Sequence, residues 1–88
     1  MIVGDSMDPV IKDGSLILVD YSQNEKIYQG KPYIVRVDNV IMCKFLDMRE
    51  AGKLILISAN PAYSEIIINT NYENFQIIGR VVYSAQKY

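Results

Sequence analysis

The chain has no histidine and a single cysteine. Without histidine, a serine nucleophile must find its base in a carboxylate, a lysine or a group from elsewhere. With Cys43 alone, no internal disulfide can form, a pattern that suits a reducing compartment. The same two shortages leave no set of nitrogen and sulfur ligands for zinc. No stretch approaches the ~20 apolar residues of a membrane helix. The first residues lack the basic and long apolar regions of a signal peptide. Charge of either sign is also lacking in excess: nine Lys and Arg stand against ten Asp and Glu, for a net −1. The basic residues are scattered, so this chain carries no stripe with which to grip a phosphate backbone.

What is present is the texture of a β protein. At 88 residues the chain is one domain with a modest core. Runs rich in Ile, Val, Tyr and Leu recur between turn signals. Strands are expected at about Ser15–Tyr21, Pro32–Asp38, Val40–Asp47, Lys53–Ser58, Glu65–Ile68 and Phe75–Tyr83. Asp13-Gly14 precedes the first of them. Asp38-Asn39 separates two strands closely enough for a tight hairpin. Glu50-Ala51-Gly52 marks another turn and Asn60-Pro61 a loop. A single helical turn fits Asp8–Lys12, and no amphipathic helix of useful length is visible. The fold class expected is mostly β, a compact domain of bent antiparallel strands with little helix.

Two positions carry candidate chemistry. Ser6 lies in Val3-Gly4-Asp5-Ser6-Met7, with Pro9 just after. Gly4 permits a backbone that aims a side chain outward, and such a turn can offer successive N–H groups to an oxyanion. Lys44 lies in Val40-Ile41-Met42-Cys43-Lys44-Phe45-Leu46. Strand alternation sets Met42 and Leu46 on the face of Lys44, with Ile41, Cys43, Phe45 and Asp47 on the other. Apolar neighbours desolvate an ammonium and lower its pKa, which is what a lysine needs to act as a base near neutral pH. Structural readings stand beside these. A turn serine commonly bonds nearby backbone. An edge-strand lysine lays its stem on apolar surface and its head in water. Cys43 reads as a small packed strand residue. Lys12, Lys26, Lys31, Lys53 and Lys87 sit beside turns or polar residues and read as solvated.

In order along the chain, several segments resemble the C-terminal peptidase domain of LexA-type and phage-type (CI-like) repressors. These are the Ser6 motif, Asp13-Gly14-Ser15 leading into Leu16–Asp20, Gly30–Val35, the Lys44 strand, Leu54–Tyr63 with its Asn-Pro-x-Tyr loop, and Ile77–Val82. The 38 positions between Ser6 and Lys44 suit that family. The resemblance covers nearly all of residues 1–88. It implies a Ser–Lys dyad in which Ser6 attacks a peptide bond and neutral Lys44 takes its proton. The oxyanion would be held by backbone N–H groups at Asp5 and Ser6. No metal and no cofactor is implied. Cleavage would be intramolecular, at an Ala-Gly or Cys-Gly bond upstream of Ser6, and would inactivate the repressor. The domain would pair as a homodimer, with Ile77–Tyr83 as the contributing strand. The parent protein would bind operator DNA through an N-terminal domain. In SOS-type systems a RecA filament would promote cleavage. The implied setting is cytoplasmic.

The chain departs from the family in three respects. It begins almost at the serine motif, which implies a fragment lacking the DNA-binding domain and the cleavable loop. Phe45 stands where many members carry a basic residue, and Glu65 where many carry proline. Ala51-Gly52 reads as a turn and not as the scissile bond. Competing readings are a repressor dimerisation module that does not cleave and a polymerase-processing subunit of error-prone repair. Type I signal peptidase shares a Ser-Met-x-Pro turn, but this chain shows neither its membrane anchor nor its later Gly-Asp motif.

Overall fold

A computed structural model of the chain describes residues 6–22 and 27–85. Six strands form in the order β1 (Leu16–Asp20), β2 (Pro32–Val37), β3 (Val40–Glu50), β4 (Lys53–Ile57), β5 (Ile66–Asn69) and β6 (Phe75–Ala85). All pair antiparallel in one sheet, ordered β1-β6-β2-β3-β4-β5. The fold is all-β, as the residue pattern predicts. Among the described residues no helix is long and apolar enough to cross a membrane. The turn expected at Asp8–Lys12 is present as one backbone bond, from Ile11 N–H to the Met7 carbonyl at 2.8 Å.

Both faces of the sheet are packed, which explains why the strands read as nearly continuous apolar runs. One face gathers Ile34, Cys43 and Val81, covered by Met7 and Ile11 from the N-terminal turn. The other gathers Tyr33, Val35, Leu46, Leu54 and Leu56. Alternation separates the two sets along β2 and β3: Ile34 is paired with Cys43, and its neighbours Tyr33 and Val35 are paired with Lys44 and Met42.

Irregularities in the ladder bend this sheet. β6 shifts register once against β1 and once against β2. Ile77 joins one core and Ile78 the other by ordinary alternation, and past the shift Val81 falls on the face of Ile78. At Gly79 the β1 backbone comes so close that a Cβ would lie 2.6 Å from the Asp20 carbonyl oxygen, so no larger residue fits without movement. The β3–β4 hairpin turns on Ala51-Gly52, where Gly52 takes φ +81°. It then shifts register between Asp47 and Glu50: Met48 and Arg49 on β3 lie opposite Leu54 alone on β4.

One reading is corrected here. β3 lies between β2 and β4, so Lys44 is not on an edge strand. β6, the strand expected to build a dimer, pairs with β2 from Phe75 to Arg80 and with β1 from Arg80 to Ala85, and Val82 and Tyr83 near its end stay exposed.

Candidate active site

Lys44 sits at mid-strand on β3, opposite Tyr33 and flanked by Met42 and Leu46, and is only 6% exposed. Burial pushes its ammonium pKa down, while the nearby Cys43 thiol exerts a smaller opposing pull. With the described residues it makes no ion pair. Its Nζ donates instead to Ser58 Oγ at 2.8 Å and lies 5.6 Å from the centre of the Tyr63 ring. The lysine is therefore buried among neutral partners. Desolvation acts on it without a carboxylate to restore its charge.

Ser58 occupies this place because of the hairpin's irregularity. The pairs Phe45–Ile57 and Leu46–Leu56 continue by one step to bring Lys44 opposite Ser58. β4 ends at Ile57, so the chain leaves the sheet here and turns through Asn60-Pro61-Ala62-Tyr63. The Asn60 side chain accepts from the Ala62 N–H, and the Tyr63 N–H bonds the Asn60 carbonyl. This small turn carries the Tyr63 ring to Lys44.

The same loop holds the serine turn. The Asn60 N–H donates to the Ser6 carbonyl at 2.9 Å. Met7, 1% exposed, anchors the turn in the core beside Cys43. Ser6 is half-buried. Residues far apart in sequence thus meet at one loop, Ser58–Tyr63, which bonds the Ser6 backbone on one side and the Lys44 head on the other. Among the described residues no hydrogen bond joins Ser6 Oγ to Lys44 Nζ. Asp5, named as an oxyanion donor, lies outside the described residues, as do Val3, Gly4, Lys26 and Lys87. The other lysines expected at the surface (Lys12, Lys31 and Lys53) are exposed.

The two family departures have structural roles. Phe45 packs against the core cluster that holds Met7 and Cys43. Glu65 accepts both Arg49 guanidinium arms, at 3.0 and 3.2 Å, and Arg49 also donates to Asp47 at 2.9 Å. This exposed fork ties the far end of the site loop to the bulged segment of β3. Cys43 is buried, and desolvation pushes its thiol up to about 11, so it is no nucleophile at neutral pH. Among the described residues no three of His, Cys, Asp and Glu gather into a metal-holding group. Two surface depressions of about 280 Å³ each involve neither Ser6 nor Lys44.

Ser58 and Tyr63 were given no role on sequence grounds. The available signal was their place in a strand and loop resembling the family, but their contact with Lys44 depends on the hairpin register.

A buried lysine with neutral partners, sharing a loop with a serine turn on an all-β scaffold, defines a class of candidate serine hydrolases that use no histidine. Comparison with known proteins gives the particular family. Residues 1–82 match the Peptidase S24-like family, and the chain belongs to it. It is 33% identical over 86 residues to the Repressor protein CI of Enterobacteria phage phi80, covering 97% of this chain and 35% of that protein. It is 28% identical over 72 residues to the LexA repressor of Providencia rettgeri, covering 82% of this chain and 34% of that protein. The chain is thus a Peptidase S24-like domain of the LexA and CI type, spanning about a third of the length of these relatives.

Proposed function

We propose that this domain is the self-cleaving Ser–Lys peptidase of a transcriptional repressor, with Ser6 as nucleophile and Lys44 as general base. The observation that carries the reading is the burial of Lys44 without any carboxylate partner among the described residues. Structural lysines seek water or a counter-ion, whereas a base must be neutral near working pH. The loop shared by the two residues supports it further. Catalytic hydrogen bonds can tighten only once the substrate is seated, so a lysine resting on Ser58 is compatible with the role.

In this mechanism Ser6 Oγ attacks the carbonyl carbon of the scissile bond and its proton passes to Lys44 Nζ. Backbone N–H groups at Asp5 and Ser6 hold the resulting oxyanion. Collapse breaks the C–N bond, and the Lys44 ammonium returns the proton to the leaving amine. Water then hydrolyses the acyl-serine, giving its proton to Lys44 and restoring Ser6 with release of a carboxylic acid. The substrate bond lies upstream of Ser6 in the full-length protein. Its cut separates an N-terminal operator-binding domain from this one, with a RecA filament as the candidate trigger.

The reading includes a second copy of the chain as partner. The edge strand β1 and the neighbouring end of β6 leave Leu16, Leu18, Val82 and Tyr83 half or more exposed, which supports such pairing. Sedimentation of Leu18→Glu beside the unaltered chain tests it: the same monomer mass for both removes the dimer.

The enzymatic reading is tested on the full-length protein at mildly alkaline pH. The expected result is a specific cut upstream of Ser6 that rises with pH and is absent in Ser6→Ala and Lys44→Ala. Absence of any cut, with a RecA filament added as well, would leave a dimerisation module that keeps the two residues idle.

A further inference from the structure

We propose that Ser58 is a positioning residue for Lys44, holding the amine so that its lone pair is presented to Ser6. The proposal rests on the Ser–Lys reading above and adds a third side chain to it. It starts from the one hydrogen bond that the buried lysine makes with a side chain among the described residues, Nζ to Ser58 Oγ at 2.8 Å.

The chemistry of the partner matters. A neutral amine has two N–H donors and one lone pair. A hydroxyl oxygen that accepts one N–H fixes the head of the lysine while leaving the lone pair uncommitted. A carboxylate in the same place would also fix the head, but it would stabilise the ammonium and remove the base. A hydrocarbon would leave the amine neutral but free to turn. The serine hydroxyl alone among these three combines orientation with neutrality.

Among the described residues no other side chain forms a hydrogen bond with the amine. Among the described residues the titratable groups near Lys44 are Cys43 beside it on β3, Tyr33 opposite it on β2 and Tyr63 from the loop after β4. The Tyr33 hydroxyl is engaged elsewhere, accepting from the Tyr28 N–H at 2.9 Å. Tyr63 presents its ring, and the Cys43 side chain lies in the core of the opposite face. The bulge at Met48 and Arg49 sets Ser58 across from Lys44. A plain two-residue hairpin through Ala51-Gly52 would carry Ala59 there instead, with no side-chain acceptor. An irregularity in the strand ladder thus delivers an oxygen to the lysine, in keeping with the tendency of bulges to re-aim groups beside functional sites.

The test uses this chain and needs no knowledge of its substrate. Diisopropyl fluorophosphate reports an activated serine: Ser6 Oγ attacks phosphorus, its proton goes to Lys44 and fluoride leaves. The labelling rate at Ser6 is followed by mass spectrometry across pH, and the titration of Lys44 by the Cε shift in lysine-labelled protein. Ser58→Ala is expected to lower the plateau rate at high pH, where the lysine is already neutral, by about ten- to a hundredfold, the scale of a misplaced catalytic group. Ser58→Thr keeps the hydroxyl and is expected to retain most of the rate. Ser58→Asp is expected to move the Lys44 titration, and the labelling profile with it, upward by more than about one pH unit. Amide spectra check that each variant is folded. Loss of labelling in Lys44→Ala with an unchanged plateau in Ser58→Ala would overturn the role of Ser58 and leave the dyad standing. Labelling that survives Lys44→Ala would overturn the dyad and the proposal together.

Discussion

β3 carries two positively charged side chains that meet opposite fates. Lys44 is buried and faces a hydroxyl and an aromatic ring. Five residues on, Arg49 is half exposed and held between two carboxylates, Asp47 and Glu65. The pKa of the lysine is driven down by desolvation, and that of the arginine is held up by its carboxylate hydrogen bonds. One end of the strand gives up solvation, which lowers the pKa of its ammonium. The other keeps its charges in water and uses them to tie a loop. Burial, more than residue type, separates a candidate base from a structural cation.

The largest expected effect on stability comes from the thiol that adjoins the buried lysine. Cys43 is raised from 9.0 to about 11 in the folded chain. The unfolded thiol therefore ionises first, and the contribution is complete below pH 9.0 and falls away as pH rises through about 11. A shift of that size corresponds to about 2–3 kcal/mol. Urea unfolding between pH 8 and 11 should show the decline, and Cys43→Val should flatten it. An equal slope in both chains would contradict the assigned burial of the thiol.

Replacing the lysine itself probes the same contrast with the opposite sign. The folded pKa of Lys44 lies below its ordinary value, so the unfolded chain binds more protons in the window up to 10.5. Its burial thus costs stability below the folded value, and the cost fades as pH rises toward 10.5. Lys44→Met, which fits the Met42 and Leu46 face, should stabilise the domain by about 1–2 kcal/mol at pH 7, as apolar replacements of buried charges do. The gain should shrink under alkaline conditions. A destabilised Lys44→Met chain at neutral pH would show that the lysine stabilises the fold and would weaken its reading as a base.

At the exposed end the expected effect is smallest. Arg49→Ala should change the urea midpoint little, because exposed ion pairs are screened and entropically costly. What change there is should vanish in high salt. A large, salt-independent loss would mean that the Arg49 fork holds the bulge and, through it, the pairing of Lys44 with Ser58.

Much of this was legible in the residues, for physical reasons that can be named. The six strands follow from apolar runs bounded by turn signals, and the Asp38-Asn39 hairpin appears as the Val37–Val40 pair. Alternation on β3 correctly set Met42 and Leu46 on one side and Cys43 and Phe45 on the other. Ladder topology was not legible. β6 reads as a closing strand yet runs between β1 and β2, because strand order depends on pairing between distant segments. Glu65 looked like a departure from family pattern and proves to be the partner of Arg49, a contact across 16 positions.

By itself the sequence determined the β class, the lack of any histidine and the two residue types, serine and lysine, on which a hydrolase would have to rely. These are matters of inventory and period, local quantities that need no contact map. Tertiary structure alone decided the company that Lys44 keeps. An extra residue in one strand moves its partner from Ala59 to Ser58, and a loop bond to the Ser6 carbonyl draws the N-terminal turn alongside. Such choices depend on register, and register is set by the sum of contacts across the sheet rather than by any one segment.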